Sequence, residues 1–209
     1  MLYSEAKQFI FIAVDKTGST SIQALLKPYA LQHTRFRLLR KRLRILKPVS
    51  RQRGIHRKLV YPVHASASSL RPYFPKQIWD SYFKFCFVRH PLDRITSRFE
   101  FLLKERRLPA DLTFDRYLDS ILSEKRSFFH QHQYILDSQS NVLVDWWGKL
   151  ENLAKDCSFL EERLGIPKLE PPRLNASKAN RGHFLDYYSK SQRRLAEEFT
   201  RRDLDLFNY

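Results

Sequence analysis

The chain has 209 residues, 43% of them hydrophobic, and a formal net charge of +16 from 38 Lys and Arg against 22 Asp and Glu. This length provides one substantial core but no room for two large domains, and the apolar runs are far shorter than the roughly 20 residues of a membrane-spanning helix. The charge excess indicates an anionic partner: nucleic acid, an acidic polysaccharide, an anionic lipid surface or a phosphorylated cofactor would each fit.

Strands and helices alternate along the sequence. The apolar run at 8–14 predicts a buried strand, and Ile22, Leu25 and Leu26 then recur at helical spacing within 20–31. Further strands are predicted at 58–64, 82–88 and 141–147, and further helices from Pro91 onward, over 150–164 and over 192–204. Cys86 and Cys157 fall on apolar sides of these elements, which predicts buried thiols. The alternation predicts an α/β fold with a central parallel sheet flanked by helices, and ligands at the carboxyl ends of the strands.

The turn between the first strand and the first helix has the sequence DKTGSTS, residues 15–21. A strand that ends in a small-residue turn and feeds a helix directs backbone N–H groups and the positive end of the helix dipole toward one point. Lys16 adds a positive charge, Gly18 permits close approach of the backbone, and the neighbouring residues Thr17, Ser19, Thr20 and Ser21 offer hydroxyl donors. Each hydroxyl alone is more typical of a helix cap, but the whole arrangement favours phosphate binding.

This turn differs from a nucleoside-triphosphate loop. That motif, GxxxxGK(S/T), places the lysine after the glycine and a hydroxyl on magnesium, whereas Lys16 precedes Gly18 here.

A second segment, YFKFCFVRHPLDRITSRFEFL at 82–102, places Arg89 at the end of a predicted strand and Ser97 about two turns into the following helix. Together with VDKTGSTS at 14–21, it resembles the sulfotransferases that use 3′-phosphoadenosine 5′-phosphosulfate (PAPS), in particular their carbohydrate branch. Three later segments are also similar to that family: 144–167, RLNASKANR at 173–181 and RRDLDLFNY at 201–209. Two departures are His90, where the family frequently has Asn, and Phe99, where it frequently has an aromatic hydroxyl.

The resemblance implies one sulfotransferase domain over 1–209 with a three-layer, P-loop-like fold. PAPS would be the sulfuryl donor and no metal would be required. The implied nucleotide contacts are the turn residues Lys16 to Ser21, then Arg89 and Ser97 at the 3′-phosphate, and Ser177 and Lys178 in a loop that closes over the nucleotide. The acceptor would be a glycan or glycolipid, and no nucleic acid is expected. We expect a cytoplasmic location, and the Golgi lumen only if the sequence is part of a longer chain.

His64 follows the second predicted strand, at the sheet edge where ligands bind, and matches the position of the family's general base. Lys16 would stabilise the leaving phosphate. For the other six histidines, a purely structural role is the preferred interpretation: His33, His56, His90, His130, His132 and His183.

Two other classes of function stay open at this point. A P-loop-like kinase would share the fold but would need a magnesium-binding acid after a strand, for which Asp145 is the only plausible residue. A non-enzymatic module that binds nucleic acid or a membrane surface would explain the charge, but not the order of Lys16, Arg89 and Ser97.

A basic insert at about 30–58 has no counterpart in the family. From Arg35 to Lys58 it contains eleven Lys or Arg and no acidic residue. Apolar residues recur at three and four residues over about 34–46, which predicts an amphipathic helix. Its apolar stripe would pack on the core and leave the arginines in solvent, or the arginines would bind an acidic glycan or a headgroup at an anionic membrane surface.

Overall fold

A computed structural model describes residues 1–30, 64–124, 130–170 and 182–209. Within these ranges one sheet has the strand order β1 (Leu2–Ser4), β2 (Phe9–Ile12), β3 (Phe83–Val88) and β4 (Trp146–Lys149). Strands β2, β3 and β4 are parallel, and β1 adds an antiparallel edge to β2. The predicted central parallel sheet is therefore confirmed. The strand expected at 58–64 lies outside the described residues, except for His64.

Aromatic and β-branched residues dominate the two central strands, and both of their faces are buried. Because successive side chains in a strand point to opposite faces, Phe9, Phe11, Phe85 and Phe87 belong to one core cluster. The intervening residues of β2 and β3 belong to the cluster on the other face: Ile10, Ile12, Cys86 and Val88. Each face therefore needs its own helical cover.

The helices are α1 (Ser19–Leu26), α2 (Ala67–Leu70), α3 (Lys76–Ser81), α4 (Pro91–Lys104), α5 (Phe114–Ser123), α6 (His132–Ile135), α7 (Leu153–Leu164), α8 (Lys190–Phe199) and α9 (Arg201–Phe207). Helices α1 and α7 cover the phenylalanine face, and α2, α3, α6 and α9 contribute to the opposite cluster. A third apolar cluster joins α4, α5 and α8. No helix in the described part of the chain is long and apolar enough to cross a membrane.

Several element boundaries differ from those predicted, and three of the differences have a clear local cause. Helix α1 ends at Leu26 rather than at residue 31, because Pro28 lacks the N–H that an α-helix would need. The predicted helix at 192–204 divides into α8 and α9 at Thr200, whose hydroxyl donates to the Ala196 carbonyl at 2.7 Å.

The fourth strand begins later than the predicted 141–147. The Asp137 carboxylate accepts hydrogen bonds from the backbone N–H groups of Gln139 and Asn141 and so closes a turn. The chain after this turn pairs back on α6: the Leu143 N–H donates to the Ile135 carbonyl at 2.7 Å. Residues 142–144 therefore do not pair with the sheet, and the chain joins it only at β4.

Both cysteines are buried and free, as the sequence predicts. Burial raises the pKa of the Cys157 thiol to about 11 and raises that of Cys86 further. The two thiols are therefore protonated, apolar core groups at neutral pH.

Candidate active site

The loop between β2 and α1 lies at the carboxyl end of the parallel sheet. Lys16 and Gly18 both have left-handed backbone conformations, with φ of +62° and +70°. Thr17 is fully buried, and its hydroxyl donates to the Val14 carbonyl at 3.0 Å. Gly18 packs so closely on Leu150 that an added Cβ would lie 2.7 Å from its Cδ1 atom. This position requires glycine both for its φ and for the space.

Helix α1 presents its N-terminus without a side-chain cap. Gly18 is the N-cap residue, and no acidic residue occupies the first turn. The expectation that single hydroxyls of this turn act as caps is therefore wrong. Ser19 is buried, Ser21 is half-buried and Thr20 is exposed at the start of the helix. The first N–H groups of α1 keep the partial positive charge that attracts an anion.

Two arginines of the β3–α4 segment hold the loop by hydrogen bonds to its backbone carbonyls. Arg94 Nε donates to the Asp15 carbonyl at 2.6 Å, and Arg89 Nη1 donates more weakly to the Lys16 carbonyl at 3.5 Å. In a trans peptide the C=O and the following N–H point in opposite directions. The N–H groups of Lys16 and Thr17 therefore point away from these guanidinium groups.

Arg89 is buried where β3 ends, with only 7% of its surface exposed. Its Nε donates to Asp93 Oδ2 at 2.6 Å, and its backbone is held by two hydrogen bonds with the Gln131 side chain, at 3.0 and 2.7 Å. Ser97 is half-buried on α4, and none of the contacts described for this helix joins it to Arg89. The sequence reasoning placed Arg89 correctly at the strand end but missed Asp93, although the spacing of four residues is typical of a helical ion pair.

The Lys16 side chain lies along α4. Its Nζ is 4.0 Å from the centre of the Phe101 ring, a cation–π contact. Burial lowers the pKa of Lys16, and the nearby Asp15 carboxylate opposes this effect. Lys16 thus offers a partly desolvated positive charge beside the N-terminus of α1.

His64 contacts the same loop. Its Nδ1 lies 2.9 Å from the Ala13 carbonyl oxygen, directly after β2. Because a carbonyl can only accept, Nδ1 carries the proton, and the lone pair of the neutral ring is on Nε2. Nε2 is 3.6 Å from Asp15 Oδ1, while Asp15 Oδ2 is paired with Arg98. About a third of the side chain is exposed.

Among the other described histidines, His132 has the structural role that we expected, since its Nδ1 is 2.6 Å from Asp203 Oδ1. His90 and His130 pack against aromatic rings, while their Nδ1 atoms are buried without a hydrogen-bond partner in the described part of the chain, and a structural role for these two stays a prediction. Burial lowers the pKa of both rings.

The sequence spacing indicates no metal-binding cluster, yet folding brings His130, His132 and Asp203 together, with potential ligand atoms within 4.8 Å of one another. The Asp203 carboxylate also accepts the backbone N–H groups of Gln131 and His132. The hydrogen bonds of Asp203 therefore explain why these three residues lie together: the carboxylate holds the N-terminus of α6.

Besides Asp93, sequence reasoning missed four residues that hold this site: Asp15, Arg94, Arg98 and Gln131. The spacing of Arg94 and Arg98, four residues apart on one helix face, was a usable signal. The contacts of Asp15 and Gln131 join residues at least 42 positions apart, and no local pattern marks them. Ser177, Lys178 and the basic insert lie outside the described residues.

Comparisons with known proteins agree with the fold. The model of the "Sulfotransferase family" matches residues 1–209. The fold is similar to the crystal structure of the mouse sulfotransferase SULT7A1 complexed with PAP, with a TM-score of 0.59 and 14% identity over 97% of this chain and 86% of that chain. An uncharacterised protein of Archaeoglobus fulgidus is 28% identical over 102 residues, which are 49% of this chain and 83% of that protein. Since the family model matches residues 1–209, the chain belongs to the sulfotransferase family.

Proposed function

We propose that this sulfotransferase moves a sulfuryl group from PAPS to a hydroxyl group of a carbohydrate or glycan, with His64 as general base. The observation that carries the proposal is the position of His64, whose Nε2 lies beside the Lys16 loop at the carboxyl end of β2. A base at this place can reach an acceptor held next to a nucleotide on the loop.

The residues present fit a phosphorylated nucleotide. The α1 N-terminus has no side-chain cap, and the positively charged side chains of Lys16, Arg89 and Arg98 lie around the loop. The loop from Lys16 to Ser21 would hold the 5′ side of PAPS, and Arg89 with Ser97 would hold the 3′-phosphate. The mouse relative was solved with PAP, which supports the same nucleotide here. The proposed contacts of Ser177 and Lys178 rest on the sequence alone.

Three groups would share the chemistry. PAPS supplies the sulfuryl group on a phosphate leaving group. His64 Nε2 takes the proton of the acceptor hydroxyl as the hydroxyl oxygen attacks sulfur. Lys16 neutralises the negative charge that develops on the leaving phosphate. A sulfuryl group carries less charge than a phosphoryl group, so we propose that the reaction needs no metal ion.

The acceptor class follows from charge. A net charge of +16 favours an acidic glycan or glycolipid, or an acceptor at an anionic membrane surface, over a neutral one. The basic insert would provide much of this attraction.

A kinase is not supported by the position of Asp145. This residue precedes β4 instead of following a strand, and its Oδ2 is 2.9 Å from Lys84 Nζ at the amino end of the sheet. Asp145 is therefore not placed to supply a magnesium-binding acid beside the Lys16 loop.

Calorimetric titration and a transfer assay test the proposal together. PAP should bind without magnesium and more tightly than ATP or a short oligonucleotide. With labelled PAPS, a panel of neutral and acidic glycans should yield a labelled product, more of it from the acidic members. ATP binding that depends on magnesium, or no label transfer despite tight PAP binding, would contradict the proposal.

A further inference from the structure

Asp15 is held from three sides. Its backbone carbonyl accepts a 2.6 Å hydrogen bond from Arg94, which is buried, and its Oδ2 pairs with Arg98. Its Oδ1 is 3.6 Å from His64 Nε2. Because both the backbone and the carboxylate are fixed, Oδ1 has little freedom to move away from the imidazole.

We propose that Asp15 is a positioning residue that stabilises the protonated ring of His64 during transfer. The inference rests on the proposed role of His64 as base. In that step the acceptor O–H bond breaks and its proton binds Nε2. The acceptor oxygen forms a bond to sulfur, and the bond from sulfur to the leaving phosphate oxygen breaks with its electron pair on that oxygen. The positively charged ring of His64 then lies within ion-pair distance of the Asp15 carboxylate.

The order of charges supports this role. Before proton transfer, Arg98 balances the Asp15 carboxylate and His64 is neutral. After it, Asp15 lies between two cations, so its stabilising effect grows as the imidazolium forms. The Ala13 carbonyl meanwhile holds Nδ1–H, which keeps the ring beside Asp15. An interaction that strengthens only as the reaction proceeds raises kcat and leaves nucleotide affinity unchanged.

The test is a double-mutant comparison on the full chain, with hydrolysis of labelled PAPS as the readout, in which water takes the place of the acceptor. Asp15→Asn should lower kcat by at least about tenfold, as expected for a group that supports a general base, with the KM for PAPS unchanged. In the His64→Ala background, the same change should alter kcat by less than about twofold, because residues that act as one unit are not additive.

A matched control is Asp145→Asn, which also removes a carboxylate from an ion pair but lies at the opposite end of the sheet. It should leave kcat unchanged. Asp15→Ser removes the charge without adding an amide donor and should reproduce the loss of kcat. This second variant keeps the test valid if Asp15→Asn does not fold.

Two outcomes separate the inference from the proposed function. If His64→Ala lowers kcat and Asp15→Asn does not, or if Asp15→Asn lowers kcat equally with and without His64, the role of Asp15 is overturned. If His64→Ala itself leaves kcat at the wild-type value while PAP still binds, the proposed base is wrong, and the inference fails with it.

Discussion

Lys16 combines a left-handed backbone with a half-buried ammonium group. A non-glycine residue in that conformation costs on the order of 1 kcal/mol, and such strain is typical of functional sites. Lys16→Met keeps the length of the side chain and removes the charge. We expect ligand-free Lys16→Met to unfold at the same temperature as the wild type or a higher one, and PAP affinity to fall at least about tenfold. Lower thermal stability together with full PAP affinity, by calorimetry, would contradict this.

The pH dependence of stability has a definite sign at Lys16. Burial lowers its pKa from the ordinary 10.5, so between the two values the unfolded chain binds more protons. This residue therefore makes the free energy of unfolding rise with pH up to about 10.5, and the rise should be smaller in Lys16→Met. Urea denaturation across alkaline pH, with both proteins side by side, measures the difference.

His64→Ala should lower turnover by about 10²–10⁴-fold, the usual contribution of a positioned base. PAP affinity should stay at the wild-type value, since the ring contacts Ala13 and Asp15 and no part of the α1 N-terminus. If turnover stays near the wild-type rate, the base lies elsewhere, and His90 is the next residue to replace.

Arg89 tests the nucleotide site. Arg89→Lys keeps a positive charge beside the buried Asp93 and loses the planar guanidinium fork that suits phosphate. We expect PAP affinity to fall by at least about tenfold, because hydrogen bonds between charged groups contribute about 1.5–3 kcal/mol. Arg116→Lys, an exposed arginine on α5, is the control and should bind PAP normally. Equal PAP affinities of the two variants would remove Arg89 from the site.

At the scale of elements, the β2–α1 loop depends on Gly18. Gly18→Ala introduces a Cβ 2.7 Å from Leu150 at a φ of +70°, and should lower the free energy of unfolding by about 1–2 kcal/mol and weaken PAP binding. Gly165→Ala is a matched control, since Gly165 also has a positive φ of +55° but its nearest neighbour, Lys7 Nζ, is 4.0 Å away. It should cost stability and leave PAP affinity unchanged. A Gly18→Ala protein that binds PAP like the control would contradict the proposed role of the loop.

Element types were predictable where local signals agreed. The run at 82–88 is rich in strand-forming residues, and Gly165 caps α7 where the periodic pattern stops. The start of β4 was not predictable in the same way, because apolar residues at 142–144 look like a strand whichever partner they pair with. The Asp137 turn decides the partner, and its hydrogen bonds are set by the fold around it.

The sequence located the site but not its internal contacts. Lys16, Arg89 and His64 each follow a predicted strand, so the topology of a parallel sheet places them at one edge. Asp15 and Arg98 are 83 residues apart in sequence, and their pairing depends on how α4 packs against the β2–α1 loop. Such contacts need the assembled tertiary structure.

For the whole molecule, the net charge of +16 predicts a salt dependence. At about 0.15 M salt the screening length is near 8 Å, so exposed contacts to an acidic glycan weaken first. The KM for an acidic acceptor should therefore rise steeply with ionic strength, and PAP affinity should change less. Replacing Arg40, Arg42 and Arg44 together by Ser should flatten that rise if the insert binds the acceptor. If neither salt nor the triple substitution changes the KM for the acceptor, the arginines of the insert do not bind the acceptor and lie in solvent.

The short antiparallel strand β1 has a consequence for handling the protein. It pairs with β2 along Leu2–Ser4 and so covers the edge of a strand that is buried on both faces. Removal of the first seven residues would leave the uncharged segment FIFIAV as an open edge, and such segments pair readily with copies of themselves. A shortened protein of this kind would aggregate during expression, even though none of the residues proposed for catalysis had been touched.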